Sequence, residues 1–102
     1  MKQSWVYIMT NKRHNVLYVG VTSDLEARVL QHKTGHYPEG FTAQYRCHEL
    51  VWFEEFGDIV EAIAQEKRVK RWRRAWKDEM ITKLNPEWKD LSEGWYHPSD
   101  LT

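Results

Sequence analysis

The apolar residues near the N-terminus fall in two short runs. Trp5-Val6-Tyr7-Ile8-Met9-Thr10 and Val16-Leu17-Tyr18-Val19-Gly20 are rich in β-branched and aromatic side chains, with polar Asn11-Lys12-Arg13-His14 between them. Such side chains suit a pleated surface, so the two runs predict a β-hairpin. With a four-residue loop, Thr10 faces Asn15 and Tyr7 lies opposite Tyr18, on one face of the sheet. After Gly20 the spacing becomes helical. Ser23-Asp24-Leu25-Glu26 has the form of a capping box and Gly35 supplies a stop, which predicts a helix over 23–34. Leu25 and Val29 form its apolar stripe, and Arg28 and His32 line the edge one turn apart. Residues 36–47 read as a loop carrying Phe41, Tyr45 and Arg46, and Leu50–Phe53 as a third strand.

The second half is helical in pattern. Asp58-Ile59-Val60-Glu61 is another capping box, opening a helix over 58–75 with Ile59, Ala62 and Ile63 facing inward. The same wheel carries Glu66 onto that face, beside Val69, Lys70 and Arg73. A third helix over 77–84 holds Met80, Ile81 and Leu84. Asn85-Pro86 ends it, because a residue preceding proline is pushed out of the helical region. The order β-β-α-β-α-α gives an α/β (α+β) fold with a three-stranded, mainly antiparallel sheet flanked by helices. One domain over 1–91 is expected, then a tail, 92–102, that packs back in part and frays at its end.

Composition narrows the possibilities. A chain of 102 residues supports one core, and 41% hydrophobic with 29% charged residues is a globular balance. No apolar run approaches the ~20 residues of a membrane span. The start lacks a signal-peptide pattern and Cys47 is the single cysteine, so a reducing cytoplasm is the expected compartment. The net charge of zero conceals blocks: +3 over residues 1–36, −5 over 37–64, +5 over 65–89 and −3 over 90–102. A polyanion responds to the local patch rather than to the total. Lys67, Lys70, Arg71, Arg73, Arg74 and Lys77, interleaved with Trp72 and Trp76, are candidate nucleic-acid contacts, with Lys2, Lys12 and Arg13 at the other end. The tryptophans are expected mainly inward and the cations outward; a solvated charged face is the plainer alternative.

A few residues suggest chemistry. A carboxylate on the inward face, Glu66, needs a cation, a metal or a proton, or else the common i,i+4 pair with Lys70. Arg28 and His32 set a fixed cation beside a titratable imidazole, which suits charge stabilisation at a phosphate and movement of a proton. A surface arginine and a half-buried histidine would look the same. Tyr7 and Tyr18 share a face, as ordinary aromatic packing also would, and Gly20 permits close backbone approach or simply a turn. No phosphate loop, dinucleotide fingerprint or zinc helix motif is present.

In order along the chain these residues resemble the GIY-YIG nuclease superfamily, specifically its small stand-alone bacterial members and the N-terminal domain of the excinuclease C protein. Val6-Tyr7-Ile8 and Tyr18-Val19-Gly20 match the two tripeptides. Thr22, Leu25, Arg28 and His32 match the following helix, and Ala62, Glu66, Lys70, Trp72, Arg74, Lys77 and Leu84-Asn85-Pro86-Glu87-Trp88-Lys89-Asp90-Leu91 the C-terminal half. The resemblance implies a metal-dependent endonuclease acting on nucleic acid, with DNA the expected substrate, in repair or recombination. It implies Tyr18 or Tyr7 as the group taking a proton from the attacking water, and Arg28 steadying the pentavalent phosphorus. Glu66 would hold one divalent ion, Mg2+ or Mn2+; His32 would stand in the site, with Gly20 and Asn85 supporting it. Val6 replaces the first glycine of the name. Val21 stands where some repair nucleases have lysine, and no appended targeting domain is seen, which leaves room for a protein partner. Two rivals are a nucleic-acid-binding module that cleaves little, and a protein-interaction domain using the acidic 49–61 stretch. Oligomeric state is not legible.

Overall fold

The computed structural model describes residues 3–102; Lys2 lies outside them. Three antiparallel strands, β1 (Ser4–Thr10), β2 (Leu17–Thr22) and β3 (Glu49–Phe56), form a sheet in the order β2-β1-β3. Between β2 and β3 lie α1 (Leu25–Thr34) and the short α2 (Phe41–Gln44), which forms inside the expected loop. After β3 come α3 (Ile59–Arg71), α4 (Arg74–Leu84) and a 3-10 turn at Pro98–Leu101. The expected order and sheet are therefore the observed ones.

The hairpin register differs from expectation by two residues. Tyr7 pairs with Gly20, and Tyr18 pairs with Met9. The cause is the connection, which is longer than the four polar residues. Asn11 Oδ1 accepts from the backbone N–H groups of Asn15 and Val16, each at 3.1 Å, and so draws Val16 into the turn. A side chain that bonds the backbone a few residues on competes with ladder pairing. Because strand faces alternate with period two, the slip leaves Tyr7 and Tyr18 on one face.

Both faces of the sheet are covered. Val6, Ile8, Val19 and Val51 pack with Ala62, Val69 and Ile81 on the α3/α4 side. Tyr7, Met9 and Leu50 pack with Leu25, Val29 and Cys47 on the α1 side. Asp24, not Ser23, caps α1, its Oδ1 accepting from Ala27 N at 3.1 Å, and Gly35 closes the helix at φ 67°. That left-handed geometry favours glycine.

Expectation failed most in the second half. Ile59 and Ile63 are exposed, and the inward stripe of α3 is Ala62, Glu66 and Val69. Ile59 sits in the first turn of the helix, whose buried residues are Ala62 and Val69. The helix also ends at Arg71, and α4 begins at Arg74 instead of residue 77. Val69 and Ile81 enter the same cluster, yet on one continuous helix they would stand about 18 Å apart along the axis. The break at Trp72-Arg73 folds α4 back so that both reach the sheet.

The chain beyond α4 belongs to the same body. Asn85 Nδ2 donates to Val51 O (3.1 Å) and Lys89 O (2.8 Å), and its Oδ1 accepts from Lys89 N. Asp90 accepts from Leu50 N and Ser92 and pairs with Lys33 at 2.5 Å. Trp95 and Tyr96 pack on the Tyr7 cluster, and the Tyr96 hydroxyl donates to Glu26 O at 2.7 Å. The packed region thus runs past residue 91.

Candidate active site

Tyr7 lies on the central strand, fully buried, with its ring turned toward the neighbouring strand. Gly20 is its ladder partner, and a Cβ there would fall 2.5 Å from Tyr7 Cζ and Oη. Contact that short is far inside van der Waals separation, so only glycine leaves room for the ring. Tyr18, two residues before Gly20, is half-buried on the same face, its ring centroid 6.2 Å from that of Tyr7.

Helix α1 brings the next two groups. Leu25, Val29 and His32 form its buried stripe, with Arg28 at the edge, half-exposed. His32 Nε2 lies 2.7 Å from Tyr7 Oη, and Nδ1 lies 2.8 Å from Thr42 Oγ1 on α2. The imidazole therefore bridges the central strand to the short helix. Its centroid is 5.5 Å from that of Tyr7 and 5.3 Å from that of Tyr18. Arg28 enters none of the ion pairs among the described residues.

The electrostatics follow from burial. Loss of solvent raises the Tyr7 pKa well above the ordinary tyrosine value; neighbouring Tyr18 adds to this and Arg28 works against it. Tyr7 is therefore a neutral phenol at pH 7. Burial, helped by Arg28 and then His48, lowers His32 to about 4. His32 is thus a neutral imidazole with one donor and one acceptor nitrogen, each engaged.

This shift has a measurable consequence. An unfolded histidine titrates near pH ~6.5, so between there and pH 4 the unfolded chain binds the extra proton and the folded chain does not. Stability should be constant above the upper limit and fall by about 1–3 kcal/mol as pH drops through that window. Urea unfolding across this range should show the slope, and His32→Gln should flatten it. An unchanged slope in the variant would assign it to other groups.

Tyr7, Tyr18, Gly20, Arg28 and His32 meet on the α1 side of the sheet. Glu66 does not join them by any direct contact. It stands on the helix covering the Val6/Ile8 face, its side chain 13% exposed, with Oε2 at 3.1 Å from Lys70 Nζ. Asn85 holds Val51 and the following turn, its amide occupied by backbone partners. The basic residues are divided by the helix break. Lys67, Lys70 and Arg71 are exposed on α3, while Arg73 stacks over Trp76 at 5.2 Å. Arg74 bonds Asp78 and the carbonyls of His14 and Asn15, and half-buried Lys77 donates weakly to Lys70 O at 3.4 Å. Trp72 is half-buried as expected, but Trp76 is exposed, because the break turns it away from the core.

One participant was not singled out from sequence: Thr42 is a buried partner of His32. Phe41, read from sequence only as a loop residue, lies 5.9 Å from the Tyr18 ring. Only burial of a loop hydroxyl distinguishes Thr42, and no periodicity in a twelve-residue connection signals that.

The chain matches the GIY-YIG catalytic domain over residues 3–79. It is 32% identical over 87 residues to a UPF0213 protein of Syntrophus aciditrophicus, covering 85% of this chain and 98% of the relative. A UPF0213 protein of Bacillus pumilus is 38% identical over 71 residues, 70% of this chain and 71% of that one. The solution NMR structure of a UPF0213 protein from Bacillus halodurans superposes with a TM-score of 0.56 at 24% identity, covering 90% of this chain and 97% of that structure, a likeness of fold. With three quarters of its length matched and the two signature strands side by side, the chain belongs to the GIY-YIG catalytic domain family.

Proposed function

We propose that this chain is an endonuclease that hydrolyses phosphodiester bonds in nucleic acid, with DNA the first candidate. The observation that carries the reading is the 2.7 Å contact between Tyr7 Oη and His32 Nε2, on a face that also presents Tyr18 and Arg28. Hydrolysis needs a site for the phosphate, a group that takes the water's proton, and relief of charge on the departing oxygen.

The cluster is layered. Tyr7 has no exposed surface, so the groups able to touch a substrate are half-exposed Tyr18 and Arg28. Arg28, free of carboxylates, presents a planar donor fork to phosphate oxygens. The Tyr18 hydroxyl orients the attacking water, and as it takes the water's proton it passes its own to Tyr7 Oη, which passes its own to His32 Nε2. Tyr7 and His32 lie behind it, where neutral His32 offers Nε2 as the acceptor at the end of the line and Thr42 fixes the ring from the other side.

A divalent ion fits less completely. Among the described residues no group of three or more His, Cys, Asp or Glu side chains is arranged to hold a metal. Glu66 remains as a single, mostly buried hard-oxygen donor, which suits Mg2+ or Mn2+ keeping most of its waters. Such an ion, when bound, would supply charge neutralisation to a phosphate oxygen that reaches the α3 side of the sheet. Lys70 already neutralises the carboxylate, so affinity should be weak and substrate phosphates should complete the shell. The reducing cytoplasm remains the proposed compartment.

Purified protein given duplex, branched and single-stranded DNA, and RNA, with Mg2+ or Mn2+ should cut at least one of them, and EDTA should stop it. Glu66→Ala should raise the metal concentration needed for half-maximal rate by about tenfold or more. Failure to cut any substrate would leave a nucleic-acid-binding module. An unaltered metal requirement in Glu66→Ala would place the ion elsewhere.

A further inference from the structure

The aromatic cluster does not end at Tyr18. Phe41 follows it at 5.9 Å, and Tyr45 follows Phe41 at 4.6 Å, with interplanar angles of 33° and 39°. Phe41 and Tyr45 are 45% and 49% exposed, so these rings climb from the buried tyrosine–histidine pair out into solvent. Tyr45 then forms one wall of a cavity of about 490 Å³, within the usual ~300–1,000 Å³ range of ligand sites. Lys12 and Arg13 of the β1–β2 loop, Arg46 and His48 leading into β3, and Glu49 at its start form other walls. Three fixed cations meet one carboxylate there, and Glu49 Oε1 is turned toward His14 at 3.4 Å. Arg46 is held at φ 55°, a conformation that a non-glycine residue adopts only at a cost.

We propose that this cleft and the adjoining rings bind unpaired nucleotides, so that the preferred substrate is single-stranded or strand-separated nucleic acid; this rests on the nuclease reading above. A duplex offers its backbone and groove edges, while its base faces are already stacked on one another. Exposed flat rings gain only from bases whose faces are open. The cations beside them suit the phosphates of the same strand, and the Tyr18–Phe41–Tyr45 series leads that strand toward Arg28. DNA and RNA share this chemistry and form separate arms of the test.

The test is fluorescence anisotropy with metal withheld, using labelled thymidine and uridine oligonucleotides and a duplex of equal length. Wild-type protein should bind the single strands at least about tenfold more tightly than the duplex. Phe41→Ala and Tyr45→Ala should each weaken single-strand binding by about tenfold and leave duplex binding unchanged. Tyr45→Ala, further from the active site, keeps the result readable if Phe41→Ala loosens α2. Arg46→Gly keeps the backbone geometry, removes the cation and should lower the salt slope on single strands by ~0.7. Equal affinity for single strands and duplex, or variants binding like wild type, would overturn the proposal. Strand-selective binding through these rings without cleavage would uphold the groove and remove the nuclease. Duplex cleavage at wild-type rate by both ring variants, with no single-strand preference, would remove the groove and leave the nuclease.

Discussion

Gly20→Ala will destabilise the domain by about 2–4 kcal/mol and slow any cleavage by at least about 100-fold. The methyl group would be placed 2.5 Å from two atoms of the Tyr7 ring. A ring end can often swing aside, but this one is fully buried and its hydroxyl is tied to His32 at 2.7 Å. Moving it costs strain in a close-packed interior and breaks the hydrogen bond, leaving a buried phenol and an imidazole nitrogen without partners. The same step undoes the alignment behind Tyr18, which is why activity falls further than stability. Gly57→Ala is the control. Nothing lies within 4 Å of a Cβ built there and its φ is outside the left-handed region, so it should change stability by less than about 1 kcal/mol. Urea unfolding of both variants checks this; a Gly20→Ala protein as stable as wild type would mean the ring is not confined as described.

The sheet was legible because its pattern is local. Two β-branched runs with a polar turn specify a hairpin, and a register error of two residues cannot move Tyr7 and Tyr18 to opposite faces. The residues of α1 were legible for the same reason, since helical spacing alone sets Arg28 one turn from His32. What escaped depends on contacts between distant segments. The Asn11 side chain lengthens the turn, and the fold-back at Trp72-Arg73 arises where Val69 and Ile81 must both reach the sheet. No single helical wheel contains that requirement. The basic run read as one surface because it was projected on one helix; the break commits Arg74 to the β1–β2 loop and separates Arg73 from Lys67 and Lys70. Thr42 was invisible because its role is defined by what it touches and not by its spacing. Glu66 shows the limit from the other side. Its inward position was readable, but the side of the sheet its helix covers was not.

Arg28 is where the nuclease reading is most exposed to refutation, since it is the chain's own group on the phosphate. It is half-exposed, pairs with no carboxylate among the described residues, and lies close enough to Tyr7 and His32 to lower the pKa of each. A cation kept unpaired beside buried polar groups contributes little to folding, so its removal should barely alter stability. Its removal from a reaction that gathers negative charge at phosphorus should cost about 10²–10³ in rate. Arg28→Lys should recover part of this, because it restores the charge without the planar fork. Single-turnover cleavage of the best-cut oligonucleotide by wild type and Arg28→Ala, with thermal melting of both, is the measurement. The expected result is a rate lower by that factor in a protein that melts as wild type does; cleavage by Arg28→Ala at the wild-type rate would contradict the phosphate-binding role and the nuclease reading with it.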